Sequence, residues 1–444
     1  MSGTHPGAAP RPITHRRVLA IAGPIVLSNA TVPILGAVDT GVVGQLGEAA
    51  PIGGVGLGMI ILTALYWVFG FLRMGTTGLA SQALGADDRP EADALLSRAL
   101  LIGMAAGAAI IALQWPLFAG AFAVAPASDE VEALARTYMG IRVWSAPALI
   151  SIYGITGWLI AAERTRAVLV IQIAMNALNI GLDLLFVLGL DWGVGGVAVA
   201  TVIAEWSGLA LGLWFCRDAF RGTAWRDRAR VLDPARLTRM AAVNGDILIR
   251  SLLLQGVFVS FMFLGARFGD VALASNQILL QFLEITAYAL DGFAFAAEAL
   301  VGQAFGRRRT DLVRRASLMT SVWGLAVSGL LALAFALAGG TVIDIMTTAP
   351  EVRETARLFL PWMVLAPLAG LAAWMLDGIF IGATRTGDMR NMMVISALVY
   401  ALAALLLVPA MGNHGLWAAL IVSFVARGVT LGLRYPRLEA AAAG

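Results

Sequence analysis

The chain has 444 residues, of which 59% are apolar and only 13% charged. Soluble globular proteins carry about 25% charged residues, so this composition excludes an ordinary soluble domain and indicates a polytopic membrane protein. All 31 basic residues are arginine. A Walker A loop and a retinal Schiff base both require a lysine, so an ATP-driven pump and a retinal protein are excluded.

The number and positions of the cysteine and histidine residues exclude further kinds of site. The single cysteine, Cys216, excludes disulfides, and the three histidines fall in the N-terminal tail or a loop. We therefore expect no cofactor, no intramembrane metal site of the histidine or cysteine type, and no membrane-embedded enzyme, which would need such groups within a span.

Apolar stretches of about 20 residues or more predict an all-α membrane protein with twelve transmembrane spans. The first stretch is too long for the apolar core of a cleaved signal peptide, so we expect it to be retained. The predicted spans cover residues 18–44, 52–84, 93–124, 132–162, 167–190, 193–216, 238–266, 271–305, 312–347, 352–382, 390–410 and 413–433.

The arginines predict the orientation. Loops on the side of the N-terminus hold most of them, whereas the opposite loops hold only Arg136, Arg267, Arg353 and Arg357. Cytoplasmic loops of membrane proteins are rich in basic residues, so both termini are expected in the cytoplasm. We assign the basic loops to topology and expect no nucleic-acid partner.

A sequence repeat crosses the midpoint of the chain. Residues 78–85 (GLASQALG) in span 2 parallel residues 299–306 (ALVGQAFG) in span 8. Six spans then repeat with one orientation, which predicts two pseudo-symmetric six-helix bundles with a substrate path between them. The predicted domains are an N-lobe at 1–216, a cytoplasmic linker at 217–237 and a C-lobe at 238–444.

Polar residues of three N-terminal spans fall at a similar membrane depth. Asn176, Asn179 and Asp183 of span 5 are three and four residues apart and share one helix face. Asp39 of span 1 and Thr201 of span 6 lie at about the same depth. These oxygens could coordinate Na⁺, or the two acids could share a proton. Alternatively, each group only hydrogen-bonds a neighbouring helix.

Two prolines, Pro24 and Pro33, lie in span 1. Pro33 cannot donate a hydrogen bond to the carbonyl of Asn29, so the span should bend there. The hypothesis that follows is that protonation or Na⁺ binding at Asp39 and Asp183 changes this bend.

Other charges lie within predicted spans, where they are costly and point to function. Glu284, Asp291 and Glu298 recur every seven residues on one face of span 8 and, with Asp377 of span 10, are candidates for a substrate cavity. Asp246 and Arg250 are four residues apart and are expected to pair along their helix. The candidates for structural or gating ties are Arg73, Glu205, Asp246, Arg250 and Arg427.

These features carry a resemblance to a known family. Residues 33–40 (PILGAVDT), the Asn-x-x-Asn-x-x-x-Asp of span 5 and the doubled bundle resemble the multidrug and toxic compound extrusion (MATE) family. The segments similar to its DinF-type branch are residues 71–78, 244–251, 287–294 and 376–385.

The resemblance implies a MATE fold and a secondary antiporter that expels cationic or amphipathic organic compounds in exchange for H⁺ or Na⁺. It implies that Asp39, Asn179, Asp183 and Thr201 line the cation site. It further implies a monomer among the lipids of the bacterial inner membrane. A flippase for lipid-linked precursors remains an alternative, and it would need a larger cationic cavity, whereas the candidates here are mostly acidic. A channel fits less well with a bent helix and a doubled bundle.

Overall fold

The computed structural model describes residues 12–45, 49–125 and 127–443. The side chains of Ile34, Ala37, Asp39, Thr40 and Ala49 lie outside that description. All the long elements of the described chain are helices. The N-terminal half contains α1 (His15–Ala30), α2 (Val32–Gly44), α3 (Ala49–Trp67), α4 (Phe71–Gly85), α5 (Arg89–Ala112), α6 (Gln114–Val124), α7 (Asp129–Arg142), α8 (Ala146–Ala161), α9 (Thr165–Asp183) and α10 (Gly193–Phe215).

The C-terminal half follows a short connection. The connection contains α11 (Arg228–Val231), and the helices of the C-terminal half are α12 (Pro234–Ala266), α13 (Asp270–Gly306), α14 (Thr310–Met346), α15 (Pro350–Gly382), α16 (Thr386–Met411) and α17 (Asn413–Ala441). Eleven helical stretches among the described residues are long and apolar enough to cross a membrane. The pair α1 and α2 supplies the remaining span, so the predicted all-α architecture of twelve spans is confirmed.

The two halves differ in helix continuity. Spans of the N-terminal half are broken: α1 and α2 meet at Thr31, and 3₁₀ turns at Val68–Gly70 and Val143–Ser145 interrupt the second and fourth spans. Each span of the C-terminal half is one helix of 26 residues or more. Pro24 lies inside unbroken α1, whereas Pro33 stands at the start of α2, where its missing N–H is harmless.

The connection between the halves is fixed to the N-terminal half. Arg98 of α5 donates from Nε to the carbonyl of Val231 at 2.9 Å, and Asp218 accepts from Arg164 at 2.7 Å. Partial burial raises the pKa of Asp218, but the hydrogen bond and charge of Arg164 outweigh it and hold that pKa below its usual range. The connection is therefore anchored to α5 and to the loop before α9.

Apolar packing joins the halves on one side only. One core contains the N-terminal half together with C-terminal residues such as Val243, Ile247 and Leu300. A second core, which includes Phe261 and Trp417, is built from the C-terminal half alone. We call the side where α4, α8, α13 and α15 end the arginine-rich side, because the arginine-rich loops lie there. The shared core lies toward this side.

The repeated segments meet each other at the arginine-rich side. We call the packing of residues 78–85 of α4 against residues 299–306 of α13 the interhalf contact. A Cβ on Gly85 would lie 2.1 Å from the carbonyl oxygen of Gln303, and a Cβ on Gly306 would lie 2.1 Å from that of Gln82. Only glycine allows the two backbones to approach this closely. Each half thus supplies the same glycine and the same glutamine to the other.

The glutamines extend the symmetry to the neighbouring helices. Gln82 donates from Nε2 to the carbonyl of Gly382, the last residue of α15, at 3.1 Å. Gln303 donates from Nε2 to the carbonyl of Ala161, the last residue of α8, at 3.0 Å.

The side-chain amide oxygen of each glutamine accepts a hydrogen bond from an arginine at the start of a span. Arg239 donates to Gln82 at 2.8 Å, and Arg17 donates to Gln303 at 2.9 Å. These bonds satisfy polar groups that helix ends otherwise leave open. The interhalf contact is therefore both closely packed and hydrogen-bonded.

The first prediction concerns this packing. Gly85→Leu and Gly306→Leu each force a side chain against backbone atoms, so each should destabilise the protein by about 1–3 kcal/mol. Thermal unfolding of purified protein, followed by tryptophan fluorescence, measures the loss. Gly329→Leu is the matched control, because nothing lies within 4 Å of a Cβ at that exposed position in α14. Unfolding midpoints equal to the control would contradict the close approach.

Candidate functional site

A pocket of buried polar side chains lies between α9 and α10. Asn179 is 1% exposed and Asp183 is fully buried. Asn179 donates from Nδ2 to Oγ1 of Thr201 at 3.4 Å, and Thr201 donates from Oγ1 to the carbonyl of Val197 at 3.0 Å. Asn176 is buried too, whereas Ala177 and Leu178 are exposed. The face that the sequence spacing predicts is thus the face that α9 buries.

Asp183 stands where the backbone of its span changes pattern. It is the last residue of α9, and the chain continues as a π-helix over Leu184–Gly189. Such local widening of a helix is rare and frequently occurs at functional sites. The carboxylate therefore sits at a structural transition and not in the middle of a uniform helix.

The pocket is joined to the break in the first span. Asn176 donates from Nδ2 to Oγ1 of Thr31 at 3.0 Å, and Thr31 donates to the carbonyl of Ser28 at 2.7 Å. Gln172, one turn earlier, donates to Oδ1 of Asn176 at 2.9 Å. Thr31 was not predicted as a site residue, and its signal in the sequence is a hydroxyl two residues before Pro33. Thr31 is the residue at which α1 ends and α2 begins.

Asp39 lies in α2, but its side chain falls outside the described residues. Helix α2 packs against both α9 and α10. The helix that carries Asp39 is therefore adjacent to the two helices that supply Asn179, Asp183 and Thr201.

The pocket offers oxygen atoms to a cation. Within the described part of the chain, Oδ1 of Asn179 is buried and accepts no hydrogen bond. A buried polar atom without a partner costs about 1–3 kcal/mol, so such an atom calls for a ligand or a function. The carboxylate of Asp183, the amide oxygen of Asn179 and the hydroxyl of Thr201 suit Na⁺, and the carboxylate also suits a proton.

A second group of charges lies deeper toward the arginine-rich side. Arg73 of α4 binds Glu298 of α13 through two hydrogen bonds of 3.0 and 3.3 Å. Asp377 of α15 accepts a hydrogen bond from Arg250 of α12, and Arg427 of α17 lies 3.8 Å away. Asp377, the favoured cation ligand of span 10 in the sequence analysis, is thus surrounded by two guanidinium groups. Glu298 and Asp377 are therefore each paired with arginine.

The expected pair between Asp246 and Arg250 is wrong. Asp246 binds Arg390 at 2.6 Å and accepts from Thr386 at 3.0 Å, both on α16, whereas Arg250 binds Asp377 on α15. Both residues lie on α12, but each reaches a partner on another helix. In a packed bundle, such interhelical partners outcompete the neighbour four residues away.

Glu205 has a partner that the sequence analysis missed. Arg142 of α7 donates to Glu205 of α10 at 2.7 Å, and both side chains are buried. The signal was present, because Arg142 lies in the middle of predicted span 4. This pair ties the fourth span to the sixth, next to the polar pocket.

The three acids of α13 have different surroundings. Glu284 is exposed, Asp291 is half-buried and Glu298 is 1% exposed. The stripe therefore runs from an accessible region to a buried end at the Arg73 ion pair.

The chain matches a family model and a known protein over most of its length. A family model described as MatE matches residues 24–185 and 247–407. The chain is 41% identical over 426 residues to the DNA damage-inducible protein F of Escherichia coli (strain K12), covering 93% of this chain and 90% of that protein.

Two further matches are more distant. A probable multidrug resistance protein NorM of Synechocystis is 26% identical over 336 residues, covering 72% of this chain and 70% of that protein. The crystal structure of the Vibrio cholerae MATE transporter VcmN in its bent form matches with a TM-score of 0.88. That match covers 96% of this chain and 97% of the solved one at 20% identity, so it shows the shared fold.

The second prediction concerns the Arg142–Glu205 pair. Glu205→Ala leaves a buried guanidinium without its partner and should lower the free energy of unfolding by about 3–5 kcal/mol. Replacing both residues by leucine removes both charges and should cost less than the single change. Thermal unfolding of the purified single and double variants measures which of the two is less stable.

The exposed pair Arg136–Glu132 provides the control. Arg136→Ala should change stability by less than about 1 kcal/mol. A double variant no more stable than Glu205→Ala would show that the buried charge is not the cause.

Proposed function

Because the chain belongs to the MatE family of membrane transporters, we propose that it is a secondary antiporter that exports cationic or amphipathic organic compounds in exchange for H⁺ or Na⁺. The observation that carries the proposal is the buried polar face of α9, where Asn179 donates to Thr201 and Asn176, one turn earlier, donates to Thr31 at the break in the first span. The name of one similar protein, a probable multidrug resistance protein, agrees with export of drugs.

The coupling ion is proposed to bind at Asp183, with Asp39 as the second acid. Charge on a buried carboxylate is costly, so a proton or Na⁺ at Asp183 changes the energy of the whole pocket. Asn176, one turn before Asn179 on the same buried face of α9, donates to Thr31 at the junction of α1 and α2. Binding of the ion is thereby linked to the angle between α1 and α2. The junction of these two helices acts as a hinge of a few residues.

The orientation follows from the arginines. By the positive-inside rule, we assign the arginine-rich side and both termini to the cytoplasmic face of a bacterial inner membrane. The interhalf contact then seals the cytoplasmic side, while the separate cores on the other side leave the halves free to part. In this proposal the described conformation is the one that releases substrate outward, and export requires the contact to open.

The third prediction tests transport and coupling. Proteoliposomes that contain the purified protein should expel ethidium when a pH gradient or a Na⁺ gradient is imposed alone, and the effective gradient identifies the ion. Asp183→Asn removes the ion-binding charge and should abolish gradient-driven efflux. Asn176→Ala, which loses the bonds to Thr31 and Gln172 but no charge, should slow it while leaving the ion preference unchanged.

Asp191→Asn is the matched control, since Asp191 is an exposed carboxylate eight residues beyond Asp183. It should transport like the unmodified protein. Efflux that responds to neither gradient would overturn the antiport proposal. Full activity in Asp183→Asn at equal protein levels would overturn the proposed ion site alone.

A further inference from the structure

One face of α13 carries alternating acids and aromatic rings. Glu284, Tyr288, Asp291, Phe295 and Glu298 follow at spacings of four, three, four and three residues, so they share a face. Tyr288, Asp291 and Phe295 are half-buried between exposed Glu284 and buried Glu298. We call these five residues the α13 stripe.

The α13 stripe faces the N-terminal half. Asn29 of α1 donates from Nδ2 to the carbonyl of Tyr288 at 3.3 Å. Arg73 of α4 reaches Phe295 and Glu298 further along. The stripe therefore lies where the two halves meet, and α13 continues from it into the interhalf contact.

The guanidinium group of Arg73 lies at the buried end of the α13 stripe. Its guanidinium carbon lies 3.8 Å from the centre of the Phe295 ring, and its nitrogens hold both oxygens of Glu298. An aromatic face and a carboxylate together are the groups that recognise guanidinium and ammonium ions in proteins. The protein's own arginine occupies this arrangement in the described conformation.

Asp291 is the acid of this region that lacks a matching base. Glu298 is paired with Arg73, and Asp377 with Arg250 and Arg427. Within the described residues, no basic nitrogen lies within 4.0 Å of the Asp291 carboxylate. Asp291 is still close enough to Arg73 and Glu298 to interact with their charges. A half-buried carboxylate with an aromatic ring one turn away on each side offers the groups that bind a cation. We call this position the Asp291 seat.

We propose that Asp291, with Tyr288 and Phe295, binds the positive charge of the exported compound, and that Arg73 is a built-in competitor for this seat. The substrate class is a monovalent organic cation, an ammonium or guanidinium group on an apolar body. This inference rests on the proposed export function and names its substrate site.

The competition explains release. Arg73 belongs to α4, and Phe295 and Glu298 belong to α13, so the guanidinium is brought to the aromatic ring when the interhalf contact forms. Closing the cytoplasmic side thus places a second positive charge beside the substrate cation and takes over Phe295. The bound cation is repelled from Asp291 toward the open side. When the halves part at the cytoplasmic side, Arg73 withdraws and the seat becomes available.

The fourth prediction measures binding without transport. Ethidium binding to purified protein is followed by its fluorescence, with neutral N-phenyl-1-naphthylamine as the uncharged probe. Asp291→Asn should weaken ethidium binding about tenfold or more, the loss expected for a charge-assisted contact, and leave the neutral probe within about twofold. Arg73→Gln should have the opposite effect and tighten ethidium binding, because the competitor is gone.

The opposite signs separate the proposal from a structural defect, which would weaken both probes in both variants. Asp270→Asn, which changes an exposed acid at the start of α13 and outside the stripe, is the control and should bind ethidium normally. Equal ethidium affinity in the unmodified protein, Asp291→Asn and Arg73→Gln would overturn the proposal, as would the absence of ethidium binding in the unmodified protein and in Arg73→Gln. Failure of the antiport proposal would instead appear in the proteoliposome assay, with these binding differences intact.

Discussion

The structure depends on one close contact, the packing of residues 78–85 against residues 299–306. Gly85 and Gly306 bring two helix backbones together, and Gln82 and Gln303 cap the ends of helices α15 and α8 in the opposite half. Because the same motif comes from both halves, the contact is nearly two-fold symmetric. Its glycines remove the side chains that would hold the backbones apart, and its glutamines satisfy carbonyls that would otherwise lack donors. On the other side of the molecule the halves have separate apolar cores.

The halves share this contact but have different polar interiors. The N-terminal half has interrupted spans and a buried amide, hydroxyl and carboxylate pocket that is bonded to the break at Thr31. The C-terminal half has continuous helices and acids paired with arginines, as at Asp377. A broken helix can change its angle at small cost, whereas a continuous one resists. We therefore assign ion coupling to the N-terminal half and substrate charge recognition to Asp291 of α13, with Arg73 as the link between them.

Sequence reasoning reached the spans and part of the site. Hydropathy predicts the twelve spans, because a bilayer requires long apolar helices, and the spacing of Asn176, Asn179 and Asp183 correctly predicts one buried face. Partners on other helices could not be predicted. Asp246 and Arg250 looked like a pair along one helix, yet each binds a different neighbour, since tertiary packing decides which charges meet. The repeat was visible in the sequence, but not the fact that its two copies bind each other.

The most direct test is a covalent link across the interhalf contact. In a Cys216→Ala background, cysteines at Ala86 and Arg308, which line one pocket at this contact, can be joined by a bifunctional maleimide. A link between positions 89 and 218, whose side chains are 3.1 Å apart within the N-terminal half and its connection, is the control. If the contact must open during each cycle, the first link arrests ethidium efflux and the second leaves it unchanged. Efflux at the unlinked rate with residues 86 and 308 joined would contradict the central role of this contact.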